Sequence, residues 1–320
     1  MYIQFRLFLS IIQIFFGHIL TNNENIIIAA QKLLAGNVVA FPTETVYGLG
    51  ADASNPLAVR QIFAKKDRPA DHPLIVHFQS VENATKWARF GKEALLLAKE
   101  FWPGPLTMIL PKKNIAPREV TGGLDTIGVR IPAHPVAQEL LRVCNRPIAA
   151  PSANKFGRIS PTTAAHVREE FGASLFILDG GPCQVGIEST IIDLTSHPSL
   201  LRPGVITKQQ VELIVGQLNE TSTTKAPGTL EAHYAPLTSL YLSETPQQDA
   251  KKFISQGRKV EIMWATSPRE YAQKLYAELR RLDALGVDIL IAEKSTDNSI
   301  GLAINDRLHR ASVGSQKDHT

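Results

Sequence analysis

A mixed α/β fold is what this chain predicts: a twisted sheet wrapped by helices, followed by a smaller α/β domain. Three observations carry that expectation. Short apolar runs rich in β-branched residues alternate with helix-length amphipathic segments. Before residue 217 the alternation is not strictly strand–helix–strand, which favours a mixed sheet over a purely parallel one. A polar, threonine-rich stretch from Gln217 to Pro236 then separates this region from a tail in which strands and helices alternate regularly.

The segment Asn25–Leu34 reads as a helix closed by Gly36 and leading into a strand, Val38–Phe41, that stops at Pro42. Gly48-x-Gly50 reads as a turn. Asn55 as N-cap and Pro56 at the first helical position predict a helix over Pro56–Lys66. A strand at Leu74–Val76 and helices at Val81–Arg89 and Lys92–Phe101 follow. Gly104-Pro105 turns the chain into strand Leu106–Leu110, and Thr126–Ile131 forms the next strand. Helix Pro135–Arg142, strand Ile148–Ala150, helix Pro161–Phe171 and strands Leu175–Leu178 and Thr190–Leu194 complete the region. Beyond the linker, strands at Ser239–Leu242, Val260–Trp264 and Asp288–Ala292 intersperse with helices at Pro246–Ser255, Pro268–Leu285 and Ser299–Ser312. This divides the chain into an N-terminal extension (1–21), a main domain (22–210), a linker (211–236) and a C-terminal, Rossmann-like α/β domain (237–320). No glycine-rich phosphate loop follows the strands of the last domain, so it is assigned no catalytic role.

With 44% hydrophobic and 20% charged residues the composition is that of an ordinary globular protein. A net charge of +4 without a basic run permits a nucleotide partner without requiring one. Cys144 and Cys183 are expected to be buried free thiols in a reducing, cytoplasmic compartment. No CxxC or HExxH spacing points to a metal site. Residues Met1–Leu20 are apolar, with Arg6 the only certain charge. They lack a cleavage site and are short for a membrane span, so an upstream extension is expected rather than a stable membrane anchor.

The chemistry concentrates between Phe41 and His77. Thr43, Thr45 and Tyr47 supply hydroxyls around Glu44, and the following helix delivers Lys65, Lys66 and Arg68. Hydroxyls, approachable backbone and cations that need a counter-charge suit a small polyanion. Taken singly, each feature has a plainer reading. Lys66-Asp67-Arg68-Pro69 reads as a solvated helix end compensating the helix dipole. His77 reads as a core histidine. Arg130, on the strand Thr126-x-Gly128-Val-Arg130, requires an anion, either an internal carboxylate or a ligand's. Ser152 and Asn154, in Ala150-Pro151-Ser152-Ala153-Asn154, either cap a helix or contact a ligand beyond a strand end. Ser189 and Thr190 open a strand, and Arg202 reads as a surface turn.

In order, TETVYGLGADA, KKDRP, HPLIVH, WPGPLT, IGVRIP, PSAN, GIESTIIDL, LRPG and HYAP resemble the threonylcarbamoyl-AMP synthase family, YrdC-like enzymes whose longer members add a C-terminal α/β domain. The resemblance covers Asn25 to Lys208, the linker motif Ala232–Pro236 and Gly301–Ala311. It implies a nucleotidyltransferase that combines L-threonine, bicarbonate and ATP, with Mg²⁺, into threonylcarbamoyl-AMP and pyrophosphate. The product passes to a tRNA threonylcarbamoyl transferase complex, with at most weak tRNA contact. Carried onto this sequence, Thr45, His77, Arg130, Ala150 and Ser189 would contact threonine. Arg68, His72, Thr126, Ser152, Asn154, Ser160, Arg202 and Tyr234 would hold ATP, and Lys66 and Arg68 would stabilise the transition state. The family often carries asparagine where this chain has His72. Two rival readings remain open, a carbamoyl-adenylate-forming transferase and a non-catalytic RNA-binding protein.

Overall fold

The computed structural model describes residues 23–219, 224, 226–228 and 230–317, with the side chain at 317 outside that set. The apolar stretch Met1–Leu20 lies outside the described residues. After helix α1 (23–34) come β1 (Val39–Phe41), β2 (Gly48–Asp52), α2 (Pro56–Lys66), β3 (Ile75–His77), α3 (Val81–Thr85), α4 (Lys92–Phe101) and β4 (Leu106–Pro111). The chain continues through α5 (Arg118–Thr121), β5 (Thr126–Arg130), α6 (Pro135–Cys144), β6 (Ile148–Ala149), α7 (Ala164–Phe171), β7 (Phe176–Ile177), β8 (Thr190–Asp193), β9 (Ser199–Arg202) and α8 (Lys208–Val215). Nine strands form one sheet in the order β7-β1-β2-β6-β3-β5-β4-β8-β9. It is mixed as expected: β3 runs parallel to β5 and β4 to β8, while β1–β2, β4–β5 and β8–β9 are antiparallel.

Local chemistry explains most of the elements. In α2 the Asn55 side chain accepts from the N–H groups of Leu57 and Ala58, Pro56 opens the helix, and Asp67 ends it in a left-handed conformation (φ 55°). Its buried face runs Ala58, Val59, Ile62, Phe63, Lys66, so helical spacing turns Lys66 inward with the apolar stripe. Gly48 and Gly50 belong to a strand and not to a turn. A Cβ on Gly50 would lie 2.7 Å from the Phe41 ring and 2.8 Å from Ile148 Cγ2, so the glycines serve close packing. Helix α7 starts at Ala164, three residues later than expected, because Thr163 caps it and the Pro161 carbonyl accepts from the Tyr47 N–H. Helix α8 went unread although Thr207 and Gln210 form a complete capping box. Cys144 and Cys183 are buried and unbonded to each other.

The second domain carries β10 (Ser239–Ser243), α9 (Pro246–Ser255), β11 (Val260–Met263), α10 (Pro268–Asp283), β12 (Ile289–Glu293) and α11 (Ile300–Lys317). Its three strands are all parallel, in the order β10-β12-β11. Tyr271, Leu275, Tyr276 and Leu279 of α10 pack with Leu240, Leu290, Ile304 and Leu308, and the same apolar cluster takes in Val46, Ile159 and Ile187 of the first domain. The two domains therefore share a core. Gly186 fits against α10 so closely that a Cβ there would stand 2.3 Å from the Gln273 carbonyl oxygen.

Candidate active site

In the parallel pair β3–β5, Ile75 lies opposite Gly128 and His77 opposite Arg130, so these four residues share one face of the sheet. Over that face the turn after β1, the loop after β6, the start of β8, the end of β9 and the linker surround a half-open cavity. Thr45, Arg68, His77, Arg130, Ala150, Ser152, Ser189, Arg202 and Tyr234, all singled out in the sequence, line it together.

At one end Arg130 is 4% exposed. Its Nη1 donates to Thr45 Oγ1 at 3.0 Å, and Thr45 shares a hydrogen bond with Thr43. Arg130 Nη2 stands 2.8 Å from Glu44 Oε1, yet the two are not aligned as a hydrogen bond, and Nη2 and both Glu44 oxygens make none. The guanidinium thus has an internal counter-charge and an unused donor. His77 is a buried lining residue whose Nδ1 makes no hydrogen bond. Burial, and then the nearby Arg130 charge, push its pKa down to about 3, so the ring is neutral.

At the other end Arg202 is buried, which overturns its reading as a surface turn. It donates to the Ser189 carbonyl from Nε and Nη2 at 3.1 and 2.9 Å, to Ser189 Oγ at 3.2 Å, and to the linker carbonyl of Pro227 at 3.1 Å. Arg68 is also buried rather than a solvated helix end. It lies over the Phe156 ring, its Nε makes no hydrogen bond, and burial lowers its pKa to about 10. The linker supplies His233 and Tyr234. Tyr234 sits at φ 63°, and its hydroxyl is buried without a hydrogen-bond partner. Ala226 packs on the apolar floor formed by Ile75, Ile109 and Ile191, so the linker lies across the sheet face.

Five of the residues assigned to threonine, ATP or the transition state are not on the lining. The Lys66 amine, 2% exposed, donates to the carbonyls of Ser152, at 2.6 Å, and of Asn154. It stands behind the wall, and burial followed by the Arg68 charge holds its pKa well below the usual lysine value. Direct contact with the reacting phosphate therefore does not fit Lys66 in this arrangement; it braces the Pro151–Asn154 loop. Asn154 Nδ2 likewise donates to the carbonyls of Lys155 and Arg158. Ser160 Oγ donates to Glu188. Thr126 shares the Arg130 face of β5 but lies about 13 Å along the strand. His72 lines a neighbouring recess with Arg68, Pro227 and His233.

The sequence reading missed Glu188 and the C-terminal residues that reach it. Glu188 lines the cavity, and its carboxylate accepts from Ser160 Oγ (2.7 Å), Tyr276 Oη (2.8 Å) and Arg307 Nε (2.9 Å). Burial alone would raise its pKa, but Arg307 and then Arg202 hold it down to about 2. A signal for Arg307 was present: it occupies the buried stripe Ala303, Ile304, Arg307, Leu308, Ala311 of α11, where a cation demands an anion.

Fold and site together define an α/β protein with two buried cationic ends facing one cavity beneath a linker. Residues 31–204 match the family model described as telomere recombination (Sua5, YciO and YrdC), and residues 206–313 match the threonylcarbamoyl-AMP synthase C-terminal domain. The threonylcarbamoyl-AMP synthase of Pyrococcus abyssi is 44% identical, covering 89% of this chain and 93% of its own; that of Bacillus subtilis is 40% identical, covering 92% and 94%. Among solved structures, Pyrococcus abyssi Sua5 complexed with L-threonine superposes with a TM-score of 0.85 at 42% identity, covering 91% of this chain and 94% of that one. Escherichia coli YciO matches with a TM-score of 0.50 at 26% identity, covering 56% of this chain and 89% of that one. The chain belongs to the threonylcarbamoyl-AMP synthase family.

Proposed function

We propose that this chain is an L-threonylcarbamoyladenylate synthase, a nucleotidyltransferase that joins L-threonine, bicarbonate and ATP into threonylcarbamoyl-AMP with release of pyrophosphate. The observation that carries the assignment of the cavity is Arg130: a buried guanidinium with one unused donor, beside a hydroxyl and a neutral histidine. An amino acid's carboxylate matches that donor, and a planar fork grips it better than an ammonium would. Thr45, His77, Ala150 and Ser189 complete this end. A triphosphate suits the other end, where Arg68, Ser152, Arg202 and Tyr234 converge. Ser160, Asn154, Thr126 and His72 would act from behind or beside it.

In the reaction, threonine's neutral amine first attacks the bicarbonate carbon; the C–N bond forms as a C–O bond breaks, and water leaves to give a carbamate. A carbamate oxygen then attacks the α-phosphorus, and the bond to pyrophosphate breaks. Negative charge grows on the phosphoryl oxygens and the leaving group, where Arg68 and Arg202 face it. Fixing carbamate and nucleotide in line removes much of the entropic barrier. His77, neutral and lacking a hydrogen bond at Nδ1, offers a polar contact to the amino acid; with its pKa held down to about 3 beside Arg130 it is not the base that takes the amine's proton. Lys66 contributes by holding the Ser152 carbonyl in place.

Magnesium would accompany the triphosphate. Among the described residues the lining carboxylate is Glu188, already occupied by three donors, and Glu44 stands against Arg130. A protein-built cage therefore does not fit, and phosphate oxygens and water are the ligands such a hard cation prefers. Among the described residues no helix is long and apolar enough to cross a membrane. We place the protein in the cytoplasm, handing its adenylate to a tRNA threonylcarbamoyl transferase complex with at most weak contact to tRNA.

Incubation with ATP, labelled bicarbonate and L-threonine should release pyrophosphate and form a labelled adenylate bearing threonine. Pyrophosphate release that does not depend on threonine would overturn the assignment in favour of a carbamoyl-adenylate chemistry.

A further inference from the structure

A carboxylate is an odd lining for a cavity that receives a triphosphate. Glu188 faces that cavity, and two of the three groups bonded to it come from the C-terminal domain: Tyr276 of α10 and Arg307 of α11. Arg307 is 0% exposed. Its Nη1 pairs with Asp306 at 2.7 Å, and its guanidinium lies 5.7 Å from the centroid of the linker's Tyr234 ring. The Tyr234 ring in turn rests on Tyr276, with centroids 5.5 Å apart and planes 30° apart. One C-terminal side chain therefore touches both the acid in the cavity wall and the aromatic residue of the linker.

We propose that Arg307 is a positioning residue for the nucleotide: it neutralises Glu188, so that the wall presents no net negative charge to the triphosphate, and it seats Tyr234. This rests on the cavity being the ATP site. Without Arg307, Glu188 has two courses, and both harm nucleotide binding. It can stand as a buried anion repelling the phosphates, or it can draw Arg202 away from the Ser189 and Pro227 carbonyls. Neither touches Arg130 itself; the second reaches the threonine end only through Ser189. The C-terminal domain, which brings no catalytic motif, acts in this way as the counter-charge of the active site.

The groups facing Glu188 are Ser160, Arg202 of β9, His233 and Tyr234 of the linker, Tyr276 and Arg307. With Arg307 present the carboxylate stays ionised far below neutral pH. With Arg307 removed, burial is opposed only by Arg202 and the Ser160 hydrogen bond, so the carboxyl should move up toward its ordinary value of 4.5. Nucleotide binding by Arg307→Met should then improve as the pH is lowered from 7 toward roughly that value, where the wild type shows no such gain.

The test is calorimetry on the full chain with magnesium β,γ-imido-ATP and, separately, L-threonine. Arg307→Met should weaken binding of the nucleotide analogue by at least about tenfold, since like charges a few ångströms apart in a poorly solvated wall repel by more than that factor. Threonine affinity should stay within about twofold, because Arg130 keeps its charge-assisted contacts. Adding Glu188→Gln to Arg307→Met should recover most of the lost nucleotide affinity, because it removes the uncompensated charge; a purely structural role for Arg307 would show no recovery. A double variant as weak as Arg307→Met, or a parallel loss of threonine binding, overturns the proposal. If Arg307→Met does not fold, the double variant decides alone: it should fold and bind, since removing both members of a buried pair is tolerated far better than removing one. If the wild type itself fails to bind the analogue, the ATP assignment fails; if the wild type binds and charge cancellation restores nothing, only this inference falls.

Discussion

Two buried arginine–glutamate pairs face the same cavity, and they differ in one respect. At Glu188 both carboxylate oxygens are met: a serine, a tyrosine and an arginine converge on them, although Arg307 Nη2 makes no hydrogen bond. At Glu44 the arginine is equally near, but both carboxylate oxygens and Arg130 Nη2 make no hydrogen bond. Buried polar groups are normally satisfied, so a cluster left wanting is the informative one. The saturated pair holds the architecture, and the unsaturated pair marks where a ligand completes the set.

Breaking the unsaturated pair should have the largest effect. Arg130→Ala removes the donor that we assign to the threonine carboxylate. One charge-assisted hydrogen bond is worth about 1.5–3 kcal/mol, so threonine affinity should fall by roughly 10- to 100-fold. Glu44 would also be left as a buried carboxylate beside an empty space, so the melting temperature should drop as well. Titration of threonine into this variant with affinity unchanged sinks the clamp.

Next comes the linker, which decides whether the saturated end is closed. Gly228 has φ +73°, and a Cβ there would lie 2.6 Å from Arg202 Nη1 and 2.7 Å from the Tyr234 hydroxyl. Gly228→Ala therefore meets a conformational penalty of about 1–2 kcal/mol in addition to the collision. Nucleotide binding should weaken by roughly tenfold, the factor that 1.4 kcal/mol represents, while threonine binding at the Arg130 end changes little. Equal losses for both ligands would show that the linker governs the whole cavity.

How much of this was legible in the sequence follows the same division. The strands and most helices were readable because caps and apolar periodicity are local: Asn55-Pro56 announced α2, and β5 lay where Thr126–Ile131 predicted it. Gly48-x-Gly50 misled, because a glycine admitted for the sake of the Phe41 ring looks like a turn glycine until the partner is seen. Individual polar residues read poorly in isolation. Arg68 and Arg202 had plausible solvated alternatives, and only tertiary burial removed them. The family resemblance gives Lys66 a role at the reacting phosphate, whereas its place on the buried stripe of α2 sends it to the Ser152 carbonyl. Glu188 and Arg307 lie 119 positions apart, and no local pattern joins them.

Acid should expose the buried histidines before it reaches the carboxylate. His77 and His233 are both held near pKa 3 by burial, with Arg130 adding to the first and Lys66 to the second. Because their folded values lie below the usual 6.5, the unfolded chain binds more protons between about 6.5 and 3, and stability falls as the pH drops through that window. Glu188 follows the same sign lower down: held at about 2 against 4.5, its contribution is present above 4.5 and is lost as the pH falls toward 2. The melting temperature should therefore decline already below about pH 6.5, and His77→Gln should flatten the upper part of that decline. A curve level down to pH 4.5 would mean that neither histidine is buried as described.

The smallest change in stability should come from the group that appears most central to closure. The Tyr234 hydroxyl is buried without a partner, and its surroundings push its pKa up to about 12, so it is a neutral, unspent donor. Removing an unsatisfied polar atom relieves its desolvation cost and disturbs no hydrogen bond. Tyr234→Phe keeps the ring on Tyr276 and beneath Arg307, so the unliganded melting temperature should stay level or rise slightly. If the hydroxyl is held in reserve for the nucleotide, the same substitution should weaken binding of the ATP analogue by about 0.5–1.5 kcal/mol, the net worth of one hydrogen bond. A clear fall in melting temperature with nucleotide affinity intact would place Tyr234 with the saturated, architectural pair and not with the receptive one.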